Sequence, residues 1–143
     1  MFGLPVRSVL DPRKLVVAPP EASVANAAAL MKEQNVGAVL VVDKGSLVGI
    51  FTERDAVFRV MAAGRDPHLT ILSEVMTREP KTVSPDESFG YALLLMHENG
   101  FRHAPVVEDG RPIGVVSARS ALDPDLEEFT AEAERRKSIR RRA

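Results

Sequence analysis

Residues Pro20 to Asp55 read PEASVANAAALMKEQNVGAVLVVDKGSLVGIFTERD, and much of this stretch returns later in the chain. It aligns without a gap on PDESFGYALLLMHENGFRHAPVVEDGRPIGVVSARS, from Pro85 to Ser120. The aligned identities include a proline, a serine, a Leu-Met pair, a Val-Val pair, two glycines and an arginine. Because such self-similarity is the signature of internal repetition, the chain is predicted to be a tandem duplication.

Each copy carries the same succession of helix and strand signals. Ser23 and Ser88 precede runs with helical spacing of apolar residues, so both are expected to be helix N-caps, and Gly100 is expected to close the second of these helices. Two apolar strands follow, AVLVV and LVGIF in the first copy, joined by a turn that contains glycine. A further helix is expected from Glu53 to about Ala63. Each copy is thus predicted to be a β-α-β-β-α unit.

The size of one unit predicts how the two units pack. A single β-α-β-β-α unit has one sheet and two helices, too little to bury both faces of the sheet. We therefore expect an α+β protein in which two units pack sheet to sheet about a pseudo-two-fold axis. The expected domains are residues 6–66 and 67–122, because Gly64, Asp66 and Pro67 interrupt the pattern between them. Residues 123–143 form a charged tail, acidic and then basic, which suits a helix.

Composition and motifs exclude several classes of function. The 143 residues are 45% apolar and 27% charged with a net charge of −1, so nothing draws the whole chain toward nucleic acid or an anionic membrane. There is no cysteine, and no apolar run approaches the ~18 residues of a membrane span, so we expect a cytoplasmic protein. No nucleophile elbow, Walker loop or metal-ligand spacing is present. The sequence therefore favours a binding protein without a catalytic cofactor or metal over an enzyme.

Thr52 and Asp55 lie where the first copy passes from strand to helix. Their spacing is that of a capping box, in which the hydroxyl accepts a backbone N–H and the acid three residues on reaches back. The same pair could hold a ligand, because a helix N-terminus offers free N–H groups to an anion and a carboxylate beside it can accept ribose hydroxyls. The two interpretations are compatible, and the residues alone leave both open.

Three motifs together identify a resemblance. They are GIFTERD at residues 49–55, VMTREPKTVSPDES at 75–88 and RHAPVVEDG at 102–110. With these motifs in this order, residues 6–122 resemble a pair of cystathionine-β-synthase (CBS) domains, also called a Bateman module. The resemblance implies a sensor that binds AMP, ADP or ATP between the repeats and regulates an unknown partner in trans. It also implies a homodimer formed through the outer helices.

The resemblance further implies roles for individual residues. Asp55 would hold the ribose, Thr52 would face the phosphate, and Arg102 would reach the phosphate from the second repeat, with His103 as a further candidate. The base would lie in an apolar slot formed by backbone near residues 76–81 and by two isoleucine side chains. The candidates for this slot are Ile50, Met76, Thr77, Pro80, Lys81 and Ile113.

The two copies differ at the residues that would bind ligand. The second copy keeps Ser117 but has Ser120 where Asp55 stands, and the first copy has Gly37 where Arg102 stands. A neutral hydroxyl cannot make the charged, two-pronged contact of a carboxylate. We therefore expect one strong site in each chain.

Three alternatives stay open at the level of sequence. The slot could take NAD or S-adenosylmethionine, or the module could be an interaction scaffold with an empty cleft. The basic run RRKSIRRR at residues 135–142 could contact nucleic acid, in which case binding would depend steeply on salt.

Overall fold

The computed structural model describes residues 2–121 and 132–139. The first repeat contains β1 (Val17–Ala18), α1 (Val24–Gln34), β2 (Ala38–Asp43), β3 (Ser46–Thr52) and α2, which begins as Glu53–Asp55 and continues as the π-helix Ala56–Met61. Then follow α3 (Leu72–Val75), β4 (Thr77–Arg78), α4 (Phe89–Asn99), β5 (His103–Glu108) and β6 (Arg111–Ser117). Short 3₁₀ turns span Val6–Val9, Pro12–Lys14 and Ala118–Ala121, and a further helix spans residues 132–139.

The local signals in the sequence correctly predicted both N-terminal ends of the two long helices and the C-terminal end of α4. Ser23 caps α1 by accepting the Asn26 N–H at 3.1 Å, and Ser88 caps α4 by accepting the Tyr91 N–H at 3.1 Å. At the other end of α4, Gly100 has the left-handed conformation (φ 72°) that closes a helix. These caps satisfy backbone groups that would otherwise lack partners, so they define where each helix begins and ends.

The strands form two sheets whose hairpins have the same register. One sheet has the order β1-β2-β3-β4, and β5 and β6 form an antiparallel pair. In each hairpin one residue of the return strand is left without a partner, Val48 in β3 and Ile113 in β6. This shared β-bulge supports the descent of both hairpins from one duplicated unit.

Three apolar clusters hold the module together. One lies under the first sheet and includes Phe51 of β3, and the second lies under β5 and β6 and includes Phe89 of α4. The third lies between the two hairpins, where Leu40 and Ile50 of the first repeat pack near Val115 of the second. This third cluster is the sheet-to-sheet contact, so the predicted α+β fold with two facing repeats is confirmed.

The segments before each repeat pack on the opposite repeat. Residues 2–9 lie on the second repeat, where the Val6 N–H donates to the Glu87 carbonyl at 2.8 Å and the Val6 side chain is fully buried. Residues 70–78 lie on the first repeat, where the Leu72 N–H donates to the Ala22 carbonyl at 2.9 Å. We call these two stretches the exchanged segments. Each core is therefore completed by chain from outside its own hairpin.

Parts of the expected C-terminal structure lie outside the described residues. The second helix expected for the second repeat lies outside the described residues apart from the turn Ala118–Ala121. The helix at 132–139 agrees with the helix expected for the tail, and its Arg135, Arg136 and Lys137 form ion pairs with Glu132 and Glu134. None of the helices within residues 2–121 and 132–139 has the length and apolar character needed to cross a membrane.

Candidate functional site

A cleft of about 730 Å³ opens where the end of β3 and the start of α2 face the loop before β5. Its volume falls in the range of roughly 300–1,000 Å³ that is common for small-ligand sites. Both repeats and the segment after β4 contribute to its walls. The lining residues are Ile50, Thr52, Glu53, Arg54, Asp55, Phe58, Arg59, Thr77, Glu79, Pro80, Lys81, Asn99, Gly100, Phe101, Arg102 and His103.

Thr52 and Asp55 form a complete capping box at the wall of the cleft. The Thr52 N–H donates to Asp55 Oδ2 at 2.9 Å, and the Thr52 hydroxyl accepts from the Asp55 N–H at 3.4 Å. The Thr52 hydroxyl also lies 3.2 Å from Asp55 Oδ2. Asp55 is only 6% exposed, so these bonds compensate the cost of burying its charge. The capping interpretation is confirmed, and the ligand-binding role of the pair stays a prediction.

Arg59 connects Asp55 with the second exchanged segment. Its Nε lies 3.5 Å from Asp55 Oδ1, four residues earlier on α2. Its Nη1 donates to the carbonyl oxygens of Val75 at 3.3 Å and of Met76 at 3.1 Å. Both oxygens of the Asp55 carboxylate therefore have a cation or a donor beside them.

The loop before β5 places Arg102 and His103 in the opposite wall. The Arg102 carbonyl accepts the Ala118 N–H at 2.9 Å, which fixes this loop against the end of β6. His103 is partly buried, and this burial lowers the pKa of its imidazole; the charge of Glu53 opposes the shift and that of Arg102 adds to it. The His103 ring is therefore mainly neutral near pH 7, while Arg102 supplies a permanent positive charge.

Gly37 lies close to the side chains of Glu53 and His103, so a Cβ at this position would require them to move. A Cβ at this position would lie 2.5 Å from Glu53 Oε1 and 2.9 Å from His103 Nε2. Glu53 thus points toward His103, whereas Asp55 points toward Thr52 and Arg59. The two carboxylates at the start of α2 therefore point to different sides.

The structure brings most of the expected base-slot residues to the cleft, but not all of them. Ile50, Thr77, Pro80 and Lys81 line it. Met76 does not, because its side chain is 5% exposed within the core of the first repeat. Ile113 packs against the core of the second repeat instead, because the β-bulge at this position turns it to the face that also carries Val116.

The pseudo-symmetric position in the second repeat has a different chemistry. Ser117 Oγ lies 3.2 Å from Ser120 Oγ, in the place of the Thr52 and Asp55 pair. Two neutral hydroxyls lie within hydrogen-bond distance here, and the residue of the first repeat that aligns with Arg102 is the uncharged Gly37. The predicted difference between the two positions is therefore present in the arrangement of these side chains.

Several lining residues were not predicted from the sequence. Arg59 could have been found, because an acid and an arginine four residues apart on a helix lie on the same face. Arg54 places its guanidinium over the Phe58 ring, 4.6 Å from the ring centroid, and both line the cleft. No local signal pointed to Glu79 or to residues 99–101, because their positions depend on how the two repeats pack.

These features define a class of protein: two repeats, each with a helix followed by a β-hairpin, that face each other and form a ligand-sized cleft with a carboxylate from one repeat and a cation from the other. The family model of the CBS domain matches residues 6–62 and 72–125. The chain therefore belongs to the CBS domain family, as a tandem pair. CBS domain pairs are typically regulatory modules.

Individual relatives agree with this assignment. The chain is 40% identical over 98 residues to the CBS domain-containing protein YhcV of Bacillus subtilis, covering 68% of this chain and 69% of that protein. A conserved protein of Pyrococcus horikoshii has a similar structure, with a TM-score of 0.80, 28% identity and coverage of 87% and 94%. The CBS domain pair of protein MJ0100, solved with 5′-methylthioadenosine and S-adenosyl-L-methionine, has a TM-score of 0.74, 27% identity and coverage of 82% and 96%.

We expect acid to destabilise the fold partly through His103. Since burial lowers the pKa of His103 in the folded state, the unfolded chain binds the proton more readily, and stability falls as the pH drops below the ordinary value of 6.5. The His103→Gln variant should lose less stability between pH 7.5 and pH 5.5 than the wild type, as measured by urea midpoints. His97→Gln, which changes an exposed histidine, is the control. Identical pH slopes for the wild type and His103→Gln would contradict the prediction.

Proposed function

We propose that this CBS pair is a sensor that binds an adenine nucleotide, AMP, ADP or ATP, in the cleft and regulates a partner protein in trans. One observation carries the proposal: Asp55 of the first repeat and Arg102 of the second line the same cleft. A carboxylate is suited to a ribose diol and a guanidinium to a phosphate, and a nucleotide presents both groups. The proposal includes the cytoplasmic location that was expected from the sequence.

The hydrogen bonds of Asp55 leave capacity for a ribose. A carboxylate has about four lone-pair directions. The Thr52 N–H and hydroxyl occupy the two directions of Oδ2, and Arg59 Nε approaches one direction of Oδ1. One direction on Oδ1 is left for a ribose hydroxyl. A second becomes available on Oδ2 when the Thr52 hydroxyl turns to donate to a phosphate instead.

The charges around the cleft favour an anionic ligand. Among the described residues, its lining includes four cations and three carboxylates, together with the N-terminal end of α2. Arg59 is already paired with Asp55. The cations best placed to meet a phosphate are therefore Arg102 and Lys81. The base would lie against Ile50 and the backbone near Thr77 and Pro80. His103 would be a neutral hydrogen-bond partner at the phosphate end.

S-adenosylmethionine and NAD are the runner-up ligands for the same cleft. The solved complex of the MJ0100 pair supports a ligand that contains adenosine, because both molecules in that complex contain this group. S-adenosylmethionine carries a sulfonium cation beside its ribose, which Arg102 and Lys81 would repel. The surplus of cations therefore favours a nucleotide over S-adenosylmethionine.

A thermal-shift panel tests the proposed function. Melting temperature is measured with AMP, ADP, ATP, NAD and S-adenosylmethionine, with GMP as the control for the base. A ligand that binds only the folded state at 100 times its Kd stabilises it by ~2.7 kcal/mol, which shifts melting by several degrees for a domain of this size. We expect such a shift with at least one adenine nucleotide. No shift with any adenine nucleotide would contradict the proposal and favour a scaffold with an empty cleft.

We also predict that the protein is a homodimer. Apolar side chains remain exposed on α2 and α4, among them Phe58 (60%), Met61 (74%) and Leu94 (52%). A C₂ contact that covers such helical surfaces is the commonest arrangement for a soluble oligomer. Light scattering at micromolar concentration should give twice the mass of one chain, and Met61→Glu should reduce it. A monomer mass for the wild type would refute this prediction.

A further inference from the structure

Arg59 contacts both the carboxylate that is expected to bind the ribose and the segment that leads into the expected base slot. It reaches Asp55 Oδ1 with Nε, and the carbonyls of Val75 and Met76 with Nη1. Val75 and Met76 are 2% and 5% exposed, so their backbone is held in the first core. Arg59 is therefore anchored to an immobile part of the fold while it touches the carboxylate.

The helix under Arg59 is unusual in a way that supports a role at the site. Residues Ala56–Met61 form a π-helix, in which the Ala62 N–H donates to the Val57 carbonyl at 2.8 Å. Such wide turns occur frequently at functional sites. Here the π-helix carries Arg59 to a position from which it reaches both Asp55 and the second exchanged segment.

We infer that Arg59 is a positioning residue that orients the Asp55 carboxylate toward a vicinal diol. The cleft's preference for ribose over a sugar without the 2′ and 3′ hydroxyls therefore depends on Arg59. This inference rests on the proposed function. It concerns how Asp55 is presented, and not which phosphate group the cleft binds.

The reason lies in how the carboxylate is held. Rotation about the last bond of an aspartate side chain is only weakly restricted. Thr52 makes both of its contacts to Oδ2, which fixes the position of one oxygen but not the plane of the carboxylate. Arg59 Nε lies 3.5 Å from Oδ1 on the other side, and the hydrogen bonds of its Nη1 to two buried carbonyls oppose any movement that would follow a rotation. The pair of contacts therefore fixes the plane that a diol must meet.

Arg59 has a matched control in Arg65. Arg65 forms an ion pair with Glu74 and so also connects the region of α2 with the second exchanged segment. It does not line the cleft and does not touch Asp55. Arg65→Met therefore measures the general cost of removing an ion pair between these elements.

The experiment compares adenosine, 2′,3′-dideoxyadenosine and AMP by calorimetry on the wild type, Arg59→Met, Arg59→Lys and Arg65→Met. Arg59→Met should weaken adenosine about tenfold and leave the dideoxy analogue within about twofold, so the preference for the diol falls. Arg59→Lys should recover part of this preference, because it restores a cation without the forked geometry. Arg65→Met should leave the preference unchanged. Melting temperatures confirm that each variant is folded.

Two results would overturn the inference while the proposed function stands. An equal loss for both ligands in Arg59→Met would mean that Arg59 only supports the fold. A loss seen with AMP but not with adenosine would mean that Arg59 binds phosphate directly. If the wild type binds neither adenosine nor AMP, the proposed function fails and the inference fails with it, and this result is distinct from the first two.

Discussion

Replacing Asp55 by alanine should weaken adenosine binding roughly 30- to 150-fold, about 2–3 kcal/mol, the largest effect we expect on this ligand. The reason is the loss of two charge-assisted hydrogen bonds to the ribose. The variant also loses half of the capping box, so Asp55→Asn is the better-folded companion, because its amide oxygen can still accept the Thr52 N–H. Calorimetry with adenosine measures both, and melting temperatures report the cost to the fold.

Ser120→Ala is the matched control for Asp55→Ala. Ser120 holds the pseudo-symmetric position and bonds to Ser117, so its loss should change adenosine binding by less than about twofold. Calorimetry on the wild type should also show one strong site per chain. Two equal sites, or a Ser120→Ala variant as impaired as Asp55→Ala, would show that the difference between the repeats has no effect on binding.

Replacing Arg102 by alanine should weaken AMP about ten- to a hundredfold, roughly 1.4–2.8 kcal/mol, and leave adenosine nearly unchanged. A guanidinium gains nothing from the nucleoside but makes charge-assisted, forked hydrogen bonds with a phosphate. Arg102→Lys should recover only part of the loss, because the ammonium group cannot form the fork. Titration of each variant with AMP and with adenosine measures the difference.

The comparison of the two ligands separates a phosphate contact from a general defect. A partly unfolded variant would lose affinity for both ligands, whereas a lost phosphate contact affects AMP alone. Arg111→Ala removes an exposed cation of the same repeat that does not line the cleft, and it should affect neither ligand. If Arg102→Ala weakens adenosine as much as AMP, or weakens neither, the phosphate is held elsewhere.

The features predicted correctly from the sequence are those that depend on neighbouring residues. The serine caps of α1 and α4, the left-handed Gly100 and the capping box at Thr52 all involve partners within a few residues. The internal repeat also predicted that the two units pack against each other, because one unit alone is too small to bury both faces of its sheet. Local chemistry and duplication together were enough for the architecture.

The features that the sequence did not predict depend on distant contacts or on register. The position of Ile113 follows from a one-residue bulge, which no local signal marks and which moves a side chain to the other face of the sheet. The contacts of Arg59 with Val75 and Met76 depend on the exchanged segment, which packs on the first repeat although it precedes the second. A motif could place Asp55 and Arg102 in the cleft, but not the arginine that holds Asp55.

The exchanged segments also bear on how such a module could have arisen. A half-length chain with one repeat would have its leading segment free to dock on a second copy, and two such copies would form a domain-swapped dimer with two identical clefts. Fusion of the two copies into one chain keeps every contact of that dimer. In a dimer of identical chains, one mutation changes both clefts. In the fused chain, a mutation changes only one of them. In the fused chain the two positions can differ, as they do here, where Ser120 aligns with Asp55 and Gly37 aligns with Arg102.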